Sequence, residues 1–135
     1  MMYNIKVFTI LKFIFHSSIL LLIILSLYPG SLIGFILYGD FGHQPDLIKN
    51  PYGTTINHFF SYLYISLLGF FLYINLSKEK FRKLFLSLFF LSITLEILQL
   101  IVPKRSFQLG DLIFNIMGVL VAYCIVKIYQ LIIKK

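Results

Sequence analysis

Two long apolar runs separated by a short polar connection occupy residues 84–133, which read LFLSLFFLSITLEILQLIVPKRSFQLGDLIFNIMGVLVAYCIVKIYQLII. The hydrocarbon core of a bilayer is about 30 Å thick, so a helix needs about 20 largely apolar residues to cross it. Each run reaches that length, and a segment in lipid must satisfy its backbone hydrogen bonds internally. The stretch therefore predicts two membrane-spanning helices, Leu84 to Val102 and Leu112 to Ile133, antiparallel because their connection is short.

Two further apolar runs precede this hairpin, Phe8 to Tyr28 and Ile56 to Leu76. We interpret the first as an uncleaved anchor, because the residues that follow it do not resemble a small-residue cleavage site. Residues 29–55 contain three prolines and five glycines, which predicts a long loop. Within that loop, Ser31 to Tyr38 is apolar but too short to span, so we expect it at the interface or partway into the membrane. The sequence thus predicts an all-α membrane protein: one domain over residues 1–135, folded as a four-helix transmembrane bundle.

Composition and charge support a membrane protein and set its orientation. Apolar residues make up 59% of the chain and charged residues 13%, against about 25% charged in a soluble domain. The net charge of +7 does not suggest nucleic acid, because the basic residues cluster between apolar runs. Lysine and arginine are more abundant on the side that holds both predicted termini and the connection from 77 to 83. We therefore expect a cytoplasmic-membrane protein with both termini cytoplasmic and the long loop outward. The bias is eight residues (Lys6, Lys12, Lys78, Lys80, Arg82, Lys83, Lys134 and Lys135) against three (Lys49, Lys104 and Arg105).

Polar side chains in the outward halves of the predicted spans are candidates for function, because ionisable groups inside a membrane are costly. Glu96 and Gln99 share one helix face, as do Asp111 and Asn115 on the next span. Glu96 is predicted to lie about 10 Å below the helix end. We expect the predicted binding residues to converge on one outward-facing site. They are His58, Tyr62, Glu96, Gln99, Arg105, Asp111 and Asn115.

Several chemistries remain open for this cluster. The residues could form a polar network that only fixes helix packing. Asp111 alone is expected to cap the N-terminus of its helix, and Arg105 to pair with an acid or a phosphate. His58 and Glu96 are the candidate acid/base pair of an enzyme. A metal site from His58, Glu96 and Asp111 is conceivable, but without an HExxH motif or a second nearby histidine we expect no metal and no cofactor.

These residues resemble the signature of the VanZ-like family of small membrane proteins. The resemblance rests on Glu96-Ile97-Leu98-Gln99, on Arg105-Ser106-Phe107 after Pro103, and on Gly110-Asp111-Leu112, Asn115 and Gly118. Upstream, His58-Phe59 followed by Tyr62 is similar to that family's His-Phe-x-x-Tyr motif. Thr54 and Thr55 stand where the family usually has an Asp-Lys pair. The resemblance implies a transmembrane helical fold and a polar site formed by these residues. The family's founding member is linked with low-level resistance to the glycopeptide teicoplanin.

The sequence thus predicts a membrane protein whose outward pocket binds an envelope lipid, a cell-wall precursor headgroup or an amphiphilic glycopeptide. The expected partners are membrane lipids or such a lipid-like ligand, and the oligomeric state is left open. Two alternatives stand beside this prediction. One is a membrane enzyme acting on a phosphorylated lipid, and the other is a structural membrane subunit without a ligand.

Overall fold

The computed structural model describes residues 5–43, 53–75 and 77–133, and every regular element in those ranges is helical. Residues 44–52 of the predicted long loop, with Lys49, lie outside the described residues, as do Lys134 and Lys135. The helices are α1 (Ile5–Leu27), α2 (Leu32–Tyr38), α3 (Thr55–Leu72), α4 (Lys78–Leu98) and α5 (Leu109–Ile133), and a 3-10 turn, Gln99–Ile101, follows α4. All of these except α2 and the 3-10 turn are long and apolar enough to span a membrane.

The four long helices alternate in direction, so that α1 and α4 end where α3 and α5 begin. Hydrogen bonds from Arg105, between α4 and α5, to the backbone of Leu25 and Tyr28 fix this end of the bundle. At the opposite end the side chain of Gln130 donates to the carbonyl of Ile74, 3.2 Å away. We call the first of these ends the site end, because the polar residues predicted from the sequence gather there.

The most extensive helix contact, between α3 and α5, depends on a glycine. A Cβ atom at Gly118 would lie 2.6 Å from the carbonyl oxygen of Phe59, so only hydrogen fits between the two backbones. Ala122, four residues on, is completely buried. The small-residue pattern Gly118-x-x-x-Ala122 therefore forms the seam of the bundle.

Helix α1 lies at the periphery of the bundle. Phe15 is the one buried residue of this helix, and its ring lies where a side chain on Gly69 would otherwise be. Most of the other apolar side chains of α1 are partly or fully exposed, as expected for a helix that faces lipid.

Two predicted helix bounds are wrong at the end opposite the site. Helix α3 ends at Leu72 rather than Leu76, and α4 begins at Lys78 rather than Leu84. The Ser77 hydroxyl caps α4, and Glu79 pairs with Lys83 across one turn at 2.8 Å. Charged residues are good helix formers, so the helix continues beyond the apolar stretch from which we estimated its length.

The short apolar segment after α1 forms helix α2. The Ser31 hydroxyl caps its start by accepting from the Gly34 N–H at 2.9 Å, and Gly39 ends it in the left-handed conformation. The ring of Phe35 stacks on that of Phe41 with centroids 4.1 Å apart, so the chain folds back on itself after the helix. This fold-back forms one wall of the site end.

Candidate functional site

Three helix termini bring the central side chains of the site together. His58 lies in the first turn of α3, Glu96 in the last turn of α4 and Asp111 in the first turn of α5. One nitrogen or oxygen atom of each lies within 4.8 Å of those of the other two. The structure thus brings these three residues together, while the predicted binding site stays a prediction.

Glu96 connects α4 to α5 through both of its carboxylate oxygens. Oε1 accepts the backbone N–H of Gln108 at 3.1 Å, and Oε2 accepts the side-chain nitrogen of Asn115 at 3.2 Å. The side chain has no exposed surface. Glu96 lies in the last turn of α4, and the 3-10 turn Gln99–Ile101 extends the span by three more residues, so its predicted depth of about 10 Å below the end of the span stays a prediction.

The network continues from Asn115 to the imidazole of His58. Asn115 Oδ1 lies 3.2 Å from His58 Nδ1, and His58 Nε2 lies 3.4 Å from Asp111 Oδ2. The other carboxylate oxygen of Asp111, Oδ1, is buried and has no hydrogen-bond partner among the described residues. Four polar residues from three helices therefore form one connected cluster.

Asp111 does not cap its helix as predicted. Helix α5 begins at Leu109, so Asp111 is already inside the first turn, and its Oδ2 faces His58. A carboxylate in this position still benefits from the positive end of the helix dipole. The N–H of Gln108, directly before the start of α5, donates to Glu96 instead.

Arg105 has a different partner from the one predicted. Its Nη2 donates to the carbonyl of Leu25 at 2.6 Å and its Nε to the carbonyl of Tyr28 at 3.2 Å. These belong to the last carbonyls of α1, which lack partners within the helix and attract a cation. Burial lowers the pKa of Arg105, and nearby Glu96 and Asp111 act in the opposite direction. Arg105 is thus a C-terminal cap of α1 within electrostatic range of both acids.

A cavity of about 90 Å³ opens beside the cluster at the site end. Basic and polar side chains form one side of it, and the fold-back around α2 forms the other. Lys104, whose backbone is in the left-handed conformation, contributes an exposed cation. The lining residues are Gly30, Ser31, Phe41, Gly42, His58, Gln99, Lys104, Arg105, Ser106, Gln108 and Asp111.

Two more cavities follow the contact between α1 and α3, and sequence reasoning did not find them. The first, about 90 Å³, shares His58, Gln99 and Arg105 with the polar cavity. The second, about 160 Å³, shares Leu22, Leu25 and Ser61 with the first and is lined mainly by apolar groups. Together they form a groove, hereafter the α1/α3 groove, along the contact between these two helices. No local pattern signals it, because it arises from the loose docking of α1.

Tyr62 and Gln99 complete the predicted set. Tyr62 is buried next to Gly118, within electrostatic range of Glu96, and its hydroxyl has no hydrogen-bond partner in the described ranges. Gln99 is buried as well and lines both the polar cavity and the adjoining part of the groove. Thr55, where the family usually has part of a charged pair, opens α3 beside Gly110 of α5.

The fold and the site together define a multi-pass membrane protein with a buried polar cluster where its helix ends meet. The sequence matches the VanZ/LLP1 family over residues 10–131, so the chain belongs to that family. Comparisons with curated proteins and with solved structures each found no significant match.

Proposed function

We propose that this protein binds an envelope lipid with a phosphorylated headgroup at the site end of the bundle. The observation that carries the proposal is the run of three neighbouring cavities, polar at the site end and apolar along α1 and α3. An amphiphile has the same two-part character: its headgroup fits the polar cavity and an acyl or prenyl chain fits the α1/α3 groove.

The charges at the polar cavity favour an anionic headgroup. Two cations, Lys104 and Arg105, line the cavity against one acid, Asp111, whose carboxylate faces His58 at 3.4 Å. The start of α5 lies beside them. A helix N-terminus and nearby basic side chains stabilise phosphate groups. Phospholipids and cell-wall precursor lipids both carry this chemistry.

The size of the cavity argues against direct enclosure of a glycopeptide antibiotic. Pockets for drug-sized ligands are about 300–1,000 Å³, whereas the polar cavity is about 90 Å³. A role in teicoplanin-type resistance or in envelope homeostasis would therefore follow from the lipid that the protein holds. We place the protein in the cytoplasmic membrane with the site end outward, as the charge bias predicts.

A membrane enzyme acting on the same lipid is the second candidate. His58 and Glu96 belong to one hydrogen-bonded cluster, and His58 lines the polar cavity. Such a pair could move a proton to or from a bound phosphoester. A chemical change in the bound lipid would distinguish this activity from binding alone.

Binding can be tested with purified protein in detergent by native mass spectrometry. The probes are dioctanoyl phosphatidylglycerol, a short polyprenyl phosphate and dioctanoylglycerol, which lacks the phosphate. We expect the first two to bind, with the stronger one identifying the lipid class, and the third to bind much more weakly. Lys104→Gln removes an exposed charge and should weaken phosphate-dependent binding by about tenfold.

A variant pair tests the α1/α3 groove. Ser18 lines the groove, so Ser18→Phe should fill it and weaken binding of every probe. Ser87 is exposed on α4, and Ser87→Phe serves as the matched control. Equal binding by both variants, or equal binding of lipids with and without phosphate, would refute the proposal. A mass change in the incubated lipid would instead support the enzyme.

A further inference from the structure

The hydrogen bonds of the cluster determine which nitrogen of His58 carries a proton. An ionised Glu96 only accepts, so the nitrogen of the Asn115 amide faces Oε2 and its oxygen faces His58. That oxygen also only accepts, so Nδ1 of His58 must donate. A neutral His58 therefore directs the lone pair of Nε2 at the carboxylate of Asp111.

A lone pair that faces a carboxylate is unfavourable unless something positive lies between them. The separation of Nε2 and Oδ2 is 3.4 Å, longer than the 2.7–3.2 Å usual for an N–H···O hydrogen bond. Two ligands about 2.05 Å from one Zn²⁺ in tetrahedral geometry lie about 3.3 Å apart. The spacing of this pair fits two ligands of one ion, and it also fits an ion pair in which a protonated Nε2 faces the carboxylate.

The unpartnered oxygen of Asp111 is a second, independent observation that favours a cation at this cluster. Its side chain is 5% exposed, and Oδ1 has no donor among the described residues. A buried acceptor without a partner is costly, and a carboxylate that binds an ion through one or both oxygens removes that cost.

We propose that His58, Glu96 and Asp111 bind one divalent transition-metal ion, and that Asn115 positions His58 for it. One imidazole and two carboxylates suit Zn²⁺ or Mn²⁺ better than Mg²⁺ or Ca²⁺, which prefer oxygen ligands. The ligand atoms lie up to 4.8 Å apart, so the largest separation would shorten by about 1.5 Å around the ion, mainly through rotation of the carboxylates. Asn115 would not touch the ion; its oxygen accepts from Nδ1 of His58 and so leaves Nε2 free to bind the metal.

The remaining coordination position would face the polar cavity, because His58 and Asp111 both line it. Water can fill that position, so the metal site does not depend on the lipid proposal. If the lipid proposal also holds, a phosphate oxygen would occupy it, and the ion would offset the two acids beside the headgroup.

Zinc binding can be measured on chelator-stripped protein in detergent, without lipid, by competition with a chromophoric chelator. We expect one Zn²⁺ per chain, and Co²⁺ in its place should give a visible absorption band. Asn115→Ala should weaken Zn²⁺ affinity by about 10–100-fold, and Asp111→Asn, which removes a ligand, should weaken it further. Glu79→Gln and His43→Gln, an acid and a histidine outside the cluster, should bind Zn²⁺ as the wild type does.

Two measurements keep the test decisive if a variant folds poorly. Zn²⁺ should raise the melting temperature of the wild type, because it binds the folded state. Nitrogen NMR of wild-type His58 should show Nδ1 protonated and Nε2 bound to the ion at saturating Zn²⁺. Absence of stoichiometric binding by the wild type, or a proton on Nε2 at saturating Zn²⁺, would overturn the proposal.

Discussion

Glu96 combines two roles that a single substitution can separate. Its carboxylate holds the start of α5 and the amide of Asn115, so it contributes to packing. A glutamine at position 96 keeps the shape of the side chain, but its NH₂ group would face the NH₂ group of Asn115. If the Asn115 amide rotates, its oxygen accepts from the glutamine and the hydrogen bond between the two residues is restored. The negative charge, however, is lost.

We therefore predict that Glu96→Gln folds and inserts but loses function. The rotated amide would present its nitrogen to His58, so the histidine proton would move from Nδ1 to Nε2. Growth with teicoplanin, with and without expression, measures the phenotype, and nitrogen NMR of His58 measures the tautomer. Lys80→Gln, on an exposed residue of α4, is the control. Wild-type function in Glu96→Gln would leave only the packing role. Loss of folding would contradict the prediction, and its size should then be about 3–5 kcal/mol, the cost of breaking a buried charged network.

The sequence predicted which polar residues meet but not all of their partners. Spacings of three and four residues placed Glu96 with Gln99, and Asp111 with Asn115, because helical periodicity is a local property. Arg105 donates to carbonyls 77 and 80 residues away in the sequence. No local spacing indicates such a contact, because it depends on where the end of α1 docks.

At the scale of elements, Arg105 determines how the end of α1 is held. We predict that Arg105→Gln frees the last turn of α1 and weakens lipid binding through the α1/α3 groove. Each lost hydrogen bond to a charged group is worth about 1.5–3 kcal/mol, so hydrogen–deuterium exchange at residues 24–28 should rise at least about tenfold. Arg105→Lys should restore it only in part, because an ammonium lacks the guanidinium's planar donor geometry. Lys104→Gln should leave exchange unchanged, and unchanged exchange in Arg105→Gln would contradict this capping role.

The close approach of α3 and α5 gives a second prediction at this scale. Gly118→Ala would place a methyl group 2.6 Å from the Phe59 carbonyl oxygen and force the helices apart. We expect the free energy of unfolding to fall by about 1–3 kcal/mol, as measured by thermal unfolding in detergent. We also expect weaker Zn²⁺ binding, because His58 and Asn115 lie on the two helices that move apart.

Gly110→Ala is the matched control, since its nearest neighbour would be a Thr55 methyl carbon at 3.7 Å, an ordinary contact. Equal stability of the Gly118→Ala and Gly110→Ala variants would show that the seam tolerates a larger residue.

The error at the start of α4 has a physical cause, which does not apply to the early end of α3. Apolar length gives the part of a helix that lies in hydrocarbon, and it located all four spans. It does not include turns that continue into the aqueous phase, such as Lys78 to Lys83 in α4. Helix α2 was expected only as an interfacial segment, because seven apolar residues carry too little periodicity to distinguish a short helix from a loop.

At the scale of the whole molecule, the distribution of basic residues separates the two ends of the bundle. Lys78, Lys80, Arg82 and Lys83 lie in the first turns of α4, at the end opposite the site. Lys127 lies at that end too, with its ammonium group 4.8 Å from the centre of the Phe81 ring. Lys104 and Arg105 are the described basic residues at the site end.

We predict from this asymmetry that the site end faces outward and that both termini are cytoplasmic, since lysine and arginine accumulate on the cytoplasmic side. Cys124 is exposed on the side of α5, so Cys124→Ser provides the background for labelling. In that background, Gln108→Cys should react with a membrane-impermeant thiol reagent in intact cells, and Lys80→Cys should react only after the membrane is permeabilised. Both side chains are exposed, so a difference in labelling would report sidedness rather than burial. Labelling of Lys80→Cys in intact cells, with Gln108→Cys protected, would show the reverse orientation, with the polar cavity open to the cytoplasm. The lipid of our proposal would then have to come from the inner leaflet.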